Sequence, residues 1–188
     1  MDGVIYCSGY PHGYLRTEER FRNYRLMLQW RWIPSPPLQT PEGRPRSRNS
    51  GVLLHMQPPD EVWPKSLEAQ LMEHNAGDFY VIGGLEFQEH SEARLDGVEA
   101  AGEDEVLRQR ALNNRRLPKR ENTSENTFAQ WNTYEIVCKD DTVTLWVNGV
   151  LQNRATYVSV VEGHICLQSE GAPLQFRDVW IEPLPLKP

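Results

Sequence analysis

The chain has 188 residues, a formal net charge of −6 and six tryptophans, and 39% of its residues are hydrophobic. That length suits one domain with a sizeable core. The apolar share excludes a disordered chain, and no apolar run is long enough for a membrane-spanning helix. The acidic balance leaves no electrostatic footprint for nucleic acid.

In chain order, Gly3 to Cys7 is short and β-branched, and the turn-rich Ser8-Gly9-Tyr10-Pro11-His12-Gly13 closes it. Arg20 to Trp32 carries a long run in which Leu26, Leu28 and Trp30 alternate with Met27, Gln29 and Arg31, so one face of a strand is buried and the other is not. Ile33 to Asn49 is rich in Pro and Arg and cannot enter a ladder. Three strands follow, at Ser50 to Gln57, Lys65 to Glu73 and Phe79 to Gly84.

Residues 88–130 read differently. They are charged and poor in large apolar residues, with Gly97 and Gly102 as breakers, and only Asp104 to Leu112 has the make-up of a short helix. The segment is expected to be a long charged loop inserted in a single domain spanning 1–188. Its basic cluster, Arg115, Arg116, Lys119 and Arg120, lacks interleaved aromatics and reads as a solvated loop.

Five strands then succeed one another: Trp131 to Lys139, Thr142 to Asn148, Val150 to Thr156, His164 to Ser169 and Leu174 to Pro183. Asn148-Gly149 is a two-residue hairpin turn, since both positions need positive φ and this pair tolerates it. Many short strands and almost no helix predict an all-β fold, a two-sheet antiparallel β-sandwich or jelly roll with one long polar loop. Cys7, Cys138 and Cys166 lie far apart in strand-like runs and are expected to be buried free thiols.

Alternation sorts the polar side chains onto faces. Glu68 and Gln70 oppose Leu67, Ala69 and Leu71; His55 opposes Leu54 and Met56; Gln168 and Glu170 oppose Ile165 and Leu167; Gln29 and Arg31 oppose Leu28 and Trp30. If these strands are neighbours, carboxylate, imidazole, amide and guanidinium groups meet on one surface suited to a polyhydroxylated ligand. A one-sided antiparallel sheet shows polar residues at alternate positions in any case. Against that stands the accumulation of Glu and Gln, which strands otherwise disfavour. Glu73-His74 and Glu89-His90 each juxtapose a carboxylate with an imidazole, but as strand dipeptides their side chains diverge; only as loop residues could they ligate a metal.

Several segments together resemble the 3-keto-disaccharide hydrolase family, within the concanavalin A-like superfamily. They are Asn49-Ser50-Gly51-Val52-Leu53-Leu54, Trp63-Pro64-Lys65-Ser66-Leu67-Glu68-Ala69-Gln70-Leu71, Asn75-Ala76-Gly77-Asp78-Phe79, Trp131-Asn132-Thr133-Tyr134-Glu135, Trp146-Val147-Asn148-Gly149, Ile165-Cys166-Leu167-Gln168-Ser169-Glu170-Gly171 and Phe176-Arg177-Asp178-Val179. The resemblance implies a concanavalin-like jelly roll acting on glycosides oxidised at carbon 3. The ketone acidifies the proton on carbon 2, so a base can remove it, the glycosidic oxygen leaves, and water adds back.

The same resemblance makes Glu68, His55 and Glu170 the catalytic candidates. Gln70, Gln168, Arg31, Gln29 and Asn49 are the candidates for binding substrate. The resemblance fixes no cofactor; a divalent metal ion could stabilise the enolate instead, as it does in some relatives. Many relatives carry His where this chain has Glu170, and the family's first strand begins earlier, so one sheet edge is expected to be missing or remade.

Relatives are commonly exported, which favours a periplasmic or secreted protein; the N-terminus shows no charged-then-apolar leader, which leaves a cytoplasmic one open. The expected partner is carbohydrate, an oxidised glycoside. The competing reading is a non-catalytic carbohydrate-binding module of the same fold.

Overall fold

The computed structural model describes residues 3–40 and 42–185. Two six-stranded antiparallel sheets stack face to face. One runs β1 (Val4–Cys7), β12 (Leu174–Pro183), β3 (Tyr24–Trp32), β8 (Asn132–Lys139), β9 (Thr142–Val147) and β10 (Val150–Ala155). The other runs β2 (Gly13–Arg16), β11 (His164–Ser169), β4 (Gly51–Met56), β5 (Ser66–Gln70), β6 (Phe79–Ile82) and β7 (Arg116–Leu117). The all-β sandwich read from the sequence is the fold.

The inner faces supply the core. Leu26, Leu28 and Trp30 of β3, Val52 and Leu54 of β4, Leu67 and Ala69 of β5, and Ile136 and Leu145 of β8 and β9 interdigitate there. Each large aliphatic residue so buried contributes about 2 kcal/mol. The outer faces differ between the sheets. β3, β8 and β9 alternate buried with half-buried residues, whereas β4 and β5 are buried on both faces. Polar side chains that alternation sends outward from β5 are therefore covered, and the candidate site lies where they are.

The segment 88–130 is not the loop expected. It holds α1 (Gln88–Ala100), α2 (Glu105–Leu112) and the short strand β7. The second helix matches the expected one, capped by Asp104, whose carboxylate accepts from the N–H groups of Val106 and Leu107. The first was hidden because no apolar stripe recurs along it: only His90 is buried. Nor is the basic cluster wholly solvated. Arg116 Nε donates to the fully buried Asp78 at 2.7 Å, the Lys119 backbone N–H donates to the same carboxylate at 2.8 Å, and Lys119 Nζ donates to the His74 carbonyl.

The three cysteines are free, Cys138 and Cys166 buried and Cys7 partly so. Among the described residues no helix is long and apolar enough to cross a membrane.

Asp78 therefore anchors β7 and the turn after it. Asp78→Ala is expected to lower unfolding free energy by about 2–3 kcal/mol, because it strands a guanidinium and a backbone N–H. Urea titration of both proteins checks this, and a change below 0.5 kcal/mol, the usual scatter of a surface substitution, would refute the anchor.

Candidate active site

The site is built on Gly51. In the β4–β5 ladder Gly51 pairs with Gln70 and Leu53 with Glu68. On the other side of β4, Val52 pairs with Leu167, which puts Gln168 across from Gly51. The Glu68 side chain leans along the sheet over Gly51: a β-carbon added there would stand 2.4 Å from Glu68 Oε1. Only a residue without a side chain leaves that space. The carboxyl thus lies beside the row Gln70, Gly51, Gln168.

Around it is a cleft of ≈ 290 Å³ lined by Asn49, Trp63, Glu68, Gln70, Met72, Tyr80, Ile82, Arg115 and Glu170. Gln70 Oε1 accepts from the backbone N–H groups of Leu71 and Met72, so its NH2 is the end left for the cleft. Glu170 follows β11, where Asn49 bridges to both Glu170 and Gly171. At Gly171, φ of +85° demands glycine, and Tyr10 Oη, Arg46 Nη2 and His12 Nε2 stand 3.5, 3.9 and 3.9 Å from where a β-carbon would be. Tyr10 stacks on His12, whose ring lies 6.2 Å from that of the half-exposed Trp63.

The electrostatics follow from burial. Loss of water, reinforced by the negative charge of Glu170, pushes the Glu68 carboxyl up to about 8, against a smaller downward pull from Arg115. Burial also raises Glu170, but a hydrogen bond from Asn49 and the positive fields of His12 and Arg46 draw it back down. Glu68 Oε1, both amide atoms of Gln168 and Asn49 Oδ1 are buried without a partner. Each such atom costs about 1–3 kcal/mol, which points to a polar ligand.

Of the sequence-derived candidates, Glu68, Gln70, Asn49 and Glu170 meet at this cleft. Gln168 is fully buried in the same cross-strand row but is not among the lining residues. The other three lie elsewhere. Gln29 and Arg31 belong to β3, in the opposite sheet, and face outward from it. There Arg177 Nε donates to Gln29 Oε1 at 2.8 Å, while Arg31 Nε donates to Gln175 Oε1 at 2.7 Å and its guanidinium lies 4.6 Å from the Trp131 ring centre. Alternation assigns faces but not sheets.

His55 is displaced by a β-bulge. Its φ is 54°, and the β4–β11 register shifts beside it. The extra residue reverses parity, so Met56 joins Leu53 on the outer side and His55 packs edge-on against Tyr24 of the main core. Its Nδ1 lies 2.8 Å from the Val160 carbonyl, and burial lowers its pKa to about 4.

Tyr80 and Ile82 are not among the candidates above, although alternation along β6 against Phe79 and Val81 marks them. Trp63 and Arg115 lie outside regular pairing, where no periodicity applies.

Neither acid–imidazole dipeptide joins the cleft. Glu73 pairs with Arg48 at 3.0 Å, Glu89 accepts from Thr156, and His90 Nε2 lies 2.9 Å from the Asn114 carbonyl. Among the described residues no three His, Cys, Asp or Glu side chains are placed to hold a metal ion. The cleft itself offers the carboxyl groups of Glu68 and Glu170 and the amides of Asn49 and Gln70.

The sequence profile of the 3-keto-alpha-glucoside-1,2-lyase-like domain matches residues 1–182. The chain belongs to that family. No curated protein matches it in sequence. Among solved structures, two Parabacteroides distasonis proteins assigned as glycosyl hydrolases share the fold of this lyase-like domain. One has 14% identity and a TM-score of 0.61 over 98% of this chain and 88% of its own. The other has 18% identity and a TM-score of 0.59 over 98% and 82%. The carbohydrate-binding module CBM66 from Bacillus subtilis shares it at 9% identity and a TM-score of 0.51, over 97% and 96%. Membership places this lyase-like domain among carbohydrate-active proteins, and the structural likenesses show the jelly-roll fold.

Two outcomes test this geometry. Gly51→Ala is expected to destabilise by about 1–3 kcal/mol through overpacking against Glu68, and adding Glu68→Ala should restore part of that loss. Strictly additive effects in denaturant titrations would refute the contact.

The second concerns pH. A carboxyl held near 8 in the folded protein and near 4.5 unfolded binds its proton more readily when folded. Its contribution is fully present below about 4.5 and is lost as the pH rises through about 8. The Glu68→Gln variant should melt close to wild type at pH 5 and higher than it by roughly 5–10 °C at pH 9. Parallel melting curves at both pH values would contradict the buried acid.

Proposed function

We propose that this domain cleaves 3-keto-glycosides by elimination across carbons 1 and 2 followed by hydration, with Glu170 as base and Glu68 as acid. One observation carries the reading: two carboxyl groups of raised proton affinity share one sugar-sized cleft, in environments that separate their protonation. Glu170 has three groups favouring its charge and Glu68 has one, while burial, and after it the charge on Glu170, favours the proton on Glu68. Opposed environments of this kind assign acid and base.

The steps balance without an added reactant other than water. Glu170 takes the proton from carbon 2, which the neighbouring ketone acidifies. The electron pair of that C–H bond forms the double bond between carbons 1 and 2, the C1–O bond breaks toward oxygen, and Glu68 supplies the proton to the leaving oxygen. Water then adds at carbon 1 and a proton returns to carbon 2. The Gln70 NH2 and the Arg115 guanidinium are the donors on the cleft wall for the developing enolate oxygen. Trp63 gives a ring face for the sugar. The cleft volume of ≈ 290 Å³ is at the small end of ligand sites, which fits a single sugar ring.

A binding module of the same fold would use the same polar cleft. What favours chemistry is the proton affinity of the paired acids, since binding hydroxyl groups does not require it. With a 3-keto-glucoside as substrate, Glu68→Gln is expected to lower kcat by about 10²–10⁴-fold while changing sugar affinity less than about tenfold. For wild type, kcat/KM should fall as the pH rises through about 8, because the acid must carry its proton. Binding of unoxidised oligosaccharide with no turnover of the keto-sugar would establish the module instead.

A further inference from the structure

Beside the cleft runs a second, larger space of ≈ 750 Å³ between the helical hairpin and the start of β7. Tyr80 and Arg115 line both, so the two spaces adjoin at these side chains. The smaller fits one ring; a glycoside has a second part, and it has to leave the cleft on some side. The shared walls give that direction.

The chemistry of the larger space is uneven. Its floor comes from Gly97, Ala100, Ala101 and Ala111. The helices approach closely here: a β-carbon on Gly97 would stand 3.0 Å from that of Ala111. A surface of hydrogen and methyl groups has low relief, which suits a flat apolar body, and the half-exposed Leu107 extends it. The rim is cationic. Arg116 is tied to Asp78 and Arg108 lies by Glu105, but Arg110 and Arg115 have no side-chain hydrogen bond or ion pair among the described residues. A cation in the last turn of α2 suits the helix dipole, which accounts for Arg110 in part. Arg115 lies beyond the helix, on the wall shared with the cleft, where its charge also acts on Glu68. In a protein of net charge −6, two guanidinium groups without an ion-pair partner among the described residues give this groove complementarity to an anion.

We propose that this groove receives the leaving group, and that the class it takes is a flat, apolar aglycone carrying a negative charge, such as an aryl carboxylate. The proposal rests on the reading of the adjoining cleft as a 3-keto-glycoside site.

The test uses three 3-keto-glucosides that differ only in leaving group: methanol, 4-hydroxybenzamide and 4-hydroxybenzoate. Arg110→Ala is expected to lower kcat/KM about tenfold for the benzoate and less than twofold for the benzamide and methyl glycosides. Ala100→Trp, at an exposed helix position, should fill the groove and lower both aryl substrates several-fold while sparing the methyl glycoside. Equal changes for all three substrates in both variants would overturn the assignment of the groove alone. Failure of wild type to turn over any of the three would overturn the reading of the cleft, and this inference with it.

Discussion

Burying a carboxyl group flat against the outer face of a β-sheet requires a neighbouring strand residue with no side chain, and Gly51 is that neighbour. Its missing β-carbon lets Glu68 lie over β4 instead of standing upright into solvent. From this follow the carboxyl's loss of hydration, its retained proton and its position between the amides of Gln70 and Gln168. Any larger residue would lift the group toward water and return it to the behaviour of an ordinary surface glutamate.

The two faces of the molecule show how covering decides chemistry. Both sheets send polar residues outward from alternate positions. On the β3 sheet they satisfy one another, as Arg177 with Gln29 and Arg31 with Gln175 do, in contact with solvent. On the β4 sheet, side chains from outside the strands, Trp63 and Arg115 among them, close over the row, and several buried polar atoms lack partners there. A satisfied surface has little left to offer a ligand; an unsatisfied one is held ready for it.

The strands were legible because period-two alternation is strong wherever one face meets the core, as in the run from Tyr24 to Trp32. The same rule correctly put Glu68 with Gln70, and it carries Tyr80 once extended to β6. It could not assign Gln29 and Arg31 to the far sheet, since strand order is a property of the whole topology and leaves no mark in a single strand. It failed at His55 because a bulge changes parity without changing composition. The first helix was illegible for a different reason: it is held by contacts at one end and by close approach at Gly97, not by an apolar stripe that a sequence pattern can reveal.

That mode of attachment has a consequence for how the domain opens. The hairpin is fastened to the sandwich by Glu89 on Thr156 and by Phe87 packed on Phe79, both at the beginning of α1, where His90 also meets the Asn114 carbonyl at the hairpin's other end. Beyond that end its side chains are largely in water, and α2 buries none. Free energies of local opening scale with such buried contact, so amide exchange in the hairpin tip should be governed by a small fluctuation of its own, while β4, β5 and β8 exchange only through global unfolding. The fold thus joins a rigid floor to a wall of independent and much lower stability.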